Sequence, residues 1–210
     1  MSDTHMFELI NSFATATPWL HTILTVYALW AGLVVLALLL VAGWWWPARH
    51  RPDAPRAVAT TVLTGIAAVV AVLINQNLLS PAIARPRPCR ALAHVEVLLP
   101  CSADYSMPSD HTIIAGAFVA GLLILSWRLG LPALLVALLL AFSRVYVGVH
   151  YPADTVLGLL AGAVIGAVIV LAGRRGATSL AQRLTHTPLR ILITAIPTAG
   201  LPAHDLDRVR

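Results

Sequence analysis

Ser143 to Ala172 reads SRVYVGVHYPADTVLGLLAGAVIGAVIVLA, and its two ends obey different rules. From Thr155 through Ala172 no charged residue appears. A run of this kind approaches the roughly 20 apolar residues that a bilayer-crossing helix needs. Pro152 suits its first turn, where the missing N–H costs nothing and the fixed φ is already helical. Around that start stand Arg144, His150 and Asp154. Ionisable side chains at the margin of so apolar a chain are costly, and that cost marks them for function. The stretch therefore predicts a membrane helix with a polar cluster where the chain emerges.

Working outward, four more apolar runs appear: His21 to Trp46, Ala57 to Ser80, Thr112 to Trp127 and Leu131 to Val149. The fold class predicted is all-α, a polytopic membrane bundle of about five spans. The third and fourth are short or polar at one end, as helices finishing in a polar pocket would be. Met6 to Leu20 is too short to cross and is expected to lie along the interface. Residues 1–175 read as one membrane-embedded domain, because the spans must pack on one another. Residues 176–210 read as an Arg-rich cytoplasmic tail whose apolar piece, Leu189 to Ile196, is too short to cross and forms a surface helix or is partly disordered. Gly158, Gly162 and Gly166 share one face of the last span and predict close approach of another backbone.

Only 11% of the 210 residues are charged, against about 25% in soluble domains, so a soluble fold is excluded. The net charge of +5 comes with no Lys, and the Arg residues are scattered between apolar runs, so nucleic acid is not expected as a partner. No basic stretch precedes the first apolar run, and no cleaved signal peptide is expected.

Short cytoplasmic loops collect positive charge. Arg49, Arg51, Arg56, Arg128, Arg174, Arg175, Arg183, Arg190, Arg208 and Arg210, ten of the fourteen, fall on one side of the predicted bundle. That side is read as the cytoplasm, with the N-terminus outside and the C-terminus inside. Trp44, Trp45 and Trp46 then anchor the inner interface. Arg85, Arg87, Arg90 and Arg144 fall outside, against the trend, and need another explanation. Cys89 and Cys101 share the outer segment and are expected to form a disulfide, worth about 3 kcal/mol on the chain-entropy view; two unpaired thiols are the alternative. Glu96 and Asp104 in that segment are read as solvated, with a part in shaping the entry of a head group as the alternative.

Three polar clusters thus meet at outer helix ends: Arg85-Pro-Arg87-Pro, Pro108-Ser109-Asp110-His111, and Ser143-Arg144 with His150 and Asp154. Ser109 is placed to cap the third span, whose free N–H groups and dipole would favour phosphate; an ordinary helix cap is the plain alternative. His150 and Asp154 can meet across the start of the last helix. A carboxylate that holds one imidazole nitrogen leaves the other free as nucleophile or base, although a satisfied polar pair would look the same in sequence. Arg144 supplies a planar fork suited to phosphate oxygens. Two His, an Asp, phosphate-binding Arg and a helix end are what phosphoryl transfer without metal or cofactor needs. A metal site is the rival reading, disfavoured because the neighbouring Arg repel cations.

Arg87-Pro88, then Pro108 to His111, then Ser143-Arg144 with His150 and Asp154 resemble, in order and spacing from about Ser80 to Asp154, the three signature motifs of the type 2 phosphatidic acid phosphatase superfamily. The resemblance implies a helical bundle in which His150 forms a phospho-histidine, Asp154 orients it and His111 protonates the leaving group. Arg87, Arg144, Ser109 and backbone amides would hold the phosphate. Two departures stand out: Ser80 where the superfamily usually has Lys, with Arg85 near enough to supply that charge, and Asp110 where it usually has Gly. These features and the run Ser143 to Pro152 resemble the undecaprenyl pyrophosphate phosphatases of the bacitracin-resistance type. The implied substrate is a polyprenyl pyrophosphate lipid, met at the extracytoplasmic face of a bacterial membrane. Phosphatidic acid, phosphatidylglycerol phosphate or another polyprenyl phosphate are alternatives, as is a lipid transporter or inactive scaffold of the same fold.

Overall fold

The structure, a computed structural model, describes residues 2–194, and among these the regular elements are all helical. Helix α1 (Asp3–Ala16) is started by Ser2, whose side chain accepts from His5 N. It buries Phe7, Asn11 and Ala14 and leaves Met6, Leu9 and Phe13 exposed, the one-sided burial of an interfacial helix. A short turn at Pro18–Leu20 leads through α2 (His21–Val26) and a π-turn (Tyr27–Ala31) into α3 (Gly32–His50), together one long rod. Helix α4 (Ala54–Ile74) follows, continued by a second π-turn (Asn75–Leu79) and α5 (Ser80–Ile83). After the single turn α6 (Pro88–Ala91), a loop over residues 92–109 crosses the end of the bundle. Helices α7 (Asp110–Leu125) and α8 (Trp127–Tyr146) are joined through Ser126, whose extended backbone (φ −163°) reverses the chain. Helix α9 (Pro152–Leu184) and the short α10 (Arg190–Ile193) complete the described chain.

Four helical rods are long and apolar enough to cross a membrane, and α7 is a shorter apolar helix among them. This is the predicted all-α membrane bundle, with two differences. Helix α8 begins four residues earlier than expected, because Ser126 already ends α7. Helix α9 runs to Leu184, about three turns past the expected end at Ala172, and passes the expected boundary at 175 unbroken. Nothing between Gly173 and Leu184 breaks a helix. Ala181, one face of that extension, packs with Ala48, Val58 and Ile193. The tail beyond Thr194, including the end of the apolar piece at Leu189 to Ile196, lies outside the described residues.

Helix α7 sits in the middle. One side meets Leu36, Ala137 and Leu140 through Val119 and Leu122. The other side lies against α9, where Gly162 allows backbone contact: a Cβ there would fall within the Ile113 carbonyl. Without a hydrophobic drive between helices in lipid, such close van der Waals approach is a main source of association. Leu38, Leu135 and Val168 point outward, as lipid-facing side chains do.

At the end opposite the Arg-rich loops, the 92–109 loop is stitched down. Asn11 donates to the Glu96 carbonyl (2.8 Å) and accepts from Glu96 N (2.9 Å), and Leu98 N donates to the Val147 carbonyl (3.1 Å). Gly148, at φ +82°, turns the chain between α8 and α9 directly beneath the Glu96 carbonyl, where a side chain would collide. Cys89 and Cys101 are joined by a disulfide that ties α6 to the middle of this loop.

Candidate active site

The turn that Gly148 permits delivers Val149 and His150 to the bundle's polar end, and Pro152 restarts the chain as α9. His150 is buried, and its Nδ1 lies 2.8 Å from the Ser106 carbonyl. A carbonyl can only accept, so Nδ1 carries the proton and Nε2 carries the lone pair. Nε2 receives a hydrogen bond from Arg87 Nη1 at 3.1 Å. Asp154 Oδ2 stands 3.7 Å from His150 Nδ1, beyond hydrogen-bond range. Ser106 bridges the two: its hydroxyl donates to Asp154 Oδ2 at 2.5 Å while its carbonyl accepts a hydrogen bond from the imidazole N–H. The expected pair thus meets at ion-pair distance, with Ser106 bridging it. Asp154 is further held by Tyr151 N (2.7 Å) and by Arg85 Nη1 (2.8 Å).

Arg85 is committed to other partners. It clamps Asp154, pairs with Asp3 at 2.6 Å and lies 3.8 Å over the Tyr151 ring. The expectation that it supplies the charge missing at Ser80 meets a guanidinium already held by two carboxylates and an aromatic face.

Arg87, His111, Arg144, His150 and Asp110 line one cavity of about 230 Å³, together with Asp104, Ser102 and the backbone turn at Leu99 and Pro100. The two imidazoles, far apart in sequence, thus face one space. Arg87 is buried and makes four contacts: its Nε and Nη2 meet Asp104 at 3.1 and 3.0 Å, and its Nη1 donates to Val149 O (3.0 Å) and to His150 Nε2. Arg144, on the last turn of α8, donates to the Ala28 carbonyl at 3.3 Å, and its buried Nε makes no hydrogen bond. Asp110 accepts from Asn75 (2.7 Å) and Gln76 (2.8 Å), side chains of the π-turn that ends α4. Ser109 occupies the cap position of α7, but its side chain does not cap: Oγ is buried without a hydrogen-bond partner, and its backbone N–H donates to the Asp154 carbonyl. A buried hydroxyl at a helix N-terminus, where backbone N–H groups are also free, suits an anion.

Burial pushes the His150 imidazole down to about 4, with the Arg144 and Arg87 charges adding to the shift and Asp154 opposing it. The ring is therefore neutral near pH 7, with its lone pair on Nε2. Burial would push the Asp104 carboxyl up, but hydrogen bonds from Ser102 and Arg87 and the Arg87 charge hold it below its usual value.

Residues 56–176 match the PAP2 superfamily. The chain belongs to that superfamily. Among relatives of this PAP2 protein, the undecaprenyl-diphosphatase BcrC of Bacillus subtilis is 34% identical over 77% of this chain and 79% of its own. An undecaprenyl-diphosphatase of Sulfolobus acidocaldarius is 35% identical over 49% of this chain and 48% of its own. Among solved structures, LpxE of Aquifex aeolicus superposes with a TM-score of 0.59 at 27% identity, covering 80% of this chain and 94% of that one.

Several residues of the PAP2 site escaped the sequence reading. Ser106 carried no signal, since a lone Ser in a loop has no periodicity or spacing to betray it. Asp104, read as solvated, is engaged by Arg87 although its side chain remains 55% exposed. Asn75 and Gln76 could have been suspected, being adjacent amides inside an apolar run.

Proposed function

We propose that this PAP2 protein hydrolyses undecaprenyl pyrophosphate, or a closely similar polyprenyl pyrophosphate, to the monophosphate and inorganic phosphate through a phospho-histidine. The observation that carries the reading is the His150 ring: Nδ1–H given to Ser106, Nε2 facing a cavity shared with His111, Arg87 and Arg144. The undecaprenyl-diphosphatases among its relatives support the choice of lipid.

In the proposed reaction the terminal phosphoryl group lies between the two imidazoles. The His150 Nε2 lone pair forms the N–P bond as the P–O bond to the lipid phosphate breaks. His111, protonated once the anionic phosphate lies beside it, gives that proton to the departing oxygen, so the lipid leaves as a monophosphate. Neutral His111 then takes a proton from water, whose oxygen attacks phosphorus; the N–P bond breaks, phosphate leaves and His150 is restored. Arg144 and Arg87 carry the charge that builds on the equatorial oxygens, with Ser109 Oγ and the first N–H groups of α7 beside them. Asp154 acts through Ser106 to hold the ring and offset the positive charge of phospho-histidine. Arg85 steadies Asp154.

In this reading the site lies at the extracytoplasmic face of a bacterial membrane, with the N-terminus outside and the C-terminus inside. The Arg-rich loops at the opposite end support that orientation. Recycling the carrier lipid there would lower bacitracin sensitivity. Purified protein offered undecaprenyl pyrophosphate, phosphatidylglycerol phosphate and phosphatidic acid is expected to release phosphate fastest from the first. His150→Ala should abolish release, and a chelator should leave the rate unchanged. A strong preference for a glycerolipid, or full activity in the variant, would overturn the reading.

A further inference from the structure

Arg87 offers its two parallel N–H groups, Nε and Nη2, along one edge, the geometry that grips two phosphate oxygens at once. In this structure that edge is occupied by Asp104, with both carboxylate oxygens engaged at 3.1 and 3.0 Å. The remaining nitrogen, Nη1, rests on the lone pair of His150 Nε2. The resting contacts of one guanidinium thus cover both the phosphate grip and the nucleophile. A phosphate cannot take the Arg87 edge while Asp104 holds it.

The two partners differ in freedom. Arg87 is buried and tied to the Val149 carbonyl. Asp104 belongs to the 92–109 loop, with more than half of its side chain in solvent. Its other polar neighbour is Ser102 of the same loop. Asp104 also borders a second cavity of about 390 Å³, lined by Gln76, Ser80 and Tyr105, so a displaced carboxylate has room on the solvent side. The carboxylate can leave; the guanidinium stays.

We propose that Asp104 is a substrate-discriminating residue: its carboxylate acts as an internal stand-in for phosphate on Arg87, and a ligand binds productively by displacing it. This rests on the phosphatase reading above. A terminal phosphate carries up to two charges and unsubstituted oxygens, and it competes well for the fork against a single carboxylate. A phosphodiester, the head-group linkage of bulk membrane lipids, carries one charge and competes poorly. Asp104 therefore keeps the abundant diesters off Arg87 while admitting the end of a pyrophosphate.

The test uses Asp104→Asn and Asp104→Ala in full-length protein purified in detergent, with vanadate and inorganic phosphate as probes. An exposed ion pair of this kind contributes up to about fivefold in competition, so both probes should inhibit the variants at concentrations about fivefold lower than wild type. Phosphatidylglycerol added to the micelles should inhibit the variants and spare the wild type. If Asp104 merely positions Arg87, the sign reverses: inhibition weakens in both variants, and the inference is overturned. Unchanged inhibition in both overturns it equally. Wild-type protein that releases no phosphate from any lipid pyrophosphate would remove the underlying reading instead, which separates the two failures.

Discussion

Replacing Ser106 with Ala tests the relay between Asp154 and His150. The substitution removes one hydroxyl and leaves the Ser106 carbonyl, which accepts the His150 Nδ1 proton, in place. Asp154 is not orphaned: Oδ2 still accepts from Tyr151 N and Oδ1 from Arg85. The loss is therefore one charge-assisted hydrogen bond, about 1.5–3 kcal/mol. Expressed wholly in the transition state, where His150 gains positive charge, that corresponds to about 10- to 100-fold in kcat. The assay is phosphate release from undecaprenyl pyrophosphate by purified variants, run beside thermal unfolding in the same detergent. Ser106→Ala should fall between wild type and an inactive His150→Ala. Wild-type turnover in Ser106→Ala would refute the relay, because the hydroxyl would then carry nothing. A loss as complete as that of His150→Ala in a folded variant would refute it from the other side, since the carbonyl alone could not be keeping the tautomer.

Gly162→Ala places a methyl group within the Ile113 carbonyl and should part α7 from α9, lowering Tm and activity together, whereas Gly176→Ala, which meets nothing nearby, should do neither. Cys89→Ser with Cys101→Ser opens the loop between Arg87 and Asp104. Stability should fall by about 3 kcal/mol on the chain-entropy view, with KM rising more than kcat falls, as Arg87 loses its fixed place. His150 binds its proton near 4 when folded and near its ordinary 6.5 when unfolded, so in between the unfolded chain holds more protons and stability drops as pH falls from 6.5 to 4, by on the order of 3 kcal/mol. Unfolding temperatures of wild type and His150→Asn across that window should differ in slope; parallel curves would count against a buried neutral imidazole.

The spans were legible because lipid leaves a chain little choice: long uncharged runs have one outcome. Their ends were less so. Whether α9 stops at Ala172 or at Leu184 depends on Ala181 finding Ala48 and Val58, a tertiary contact with no local signature. Within the site, His111, Arg87, Arg144 and His150 declared themselves through expense, each an ionisable group in an apolar setting. Arg85 declared itself just as loudly, but spacing cannot tell that its guanidinium pairs with two carboxylates. One of them, Asp3, comes from the other end of the chain.

A phosphate site in a membrane bundle faces an electrostatic conflict. Arg87 and Arg144 face one cavity, and like charges this close and this buried repel strongly where the dielectric is low. Asp104 and Asp110 border the same cavity, so the resting site carries two positive and two negative side chains. The pairs differ in kind. Asp110 is fixed by two amides and stays; Asp104 is half in water and can go. In the proposed reaction a terminal phosphate replacing Asp104 would keep the guanidiniums compensated and offer an acceptor to Arg144 Nε, a buried donor that makes no hydrogen bond within the protein. One mobile and one fixed carboxylate would thus let the bundle hold its cationic cluster between turnovers and give it up only to an anion of higher charge.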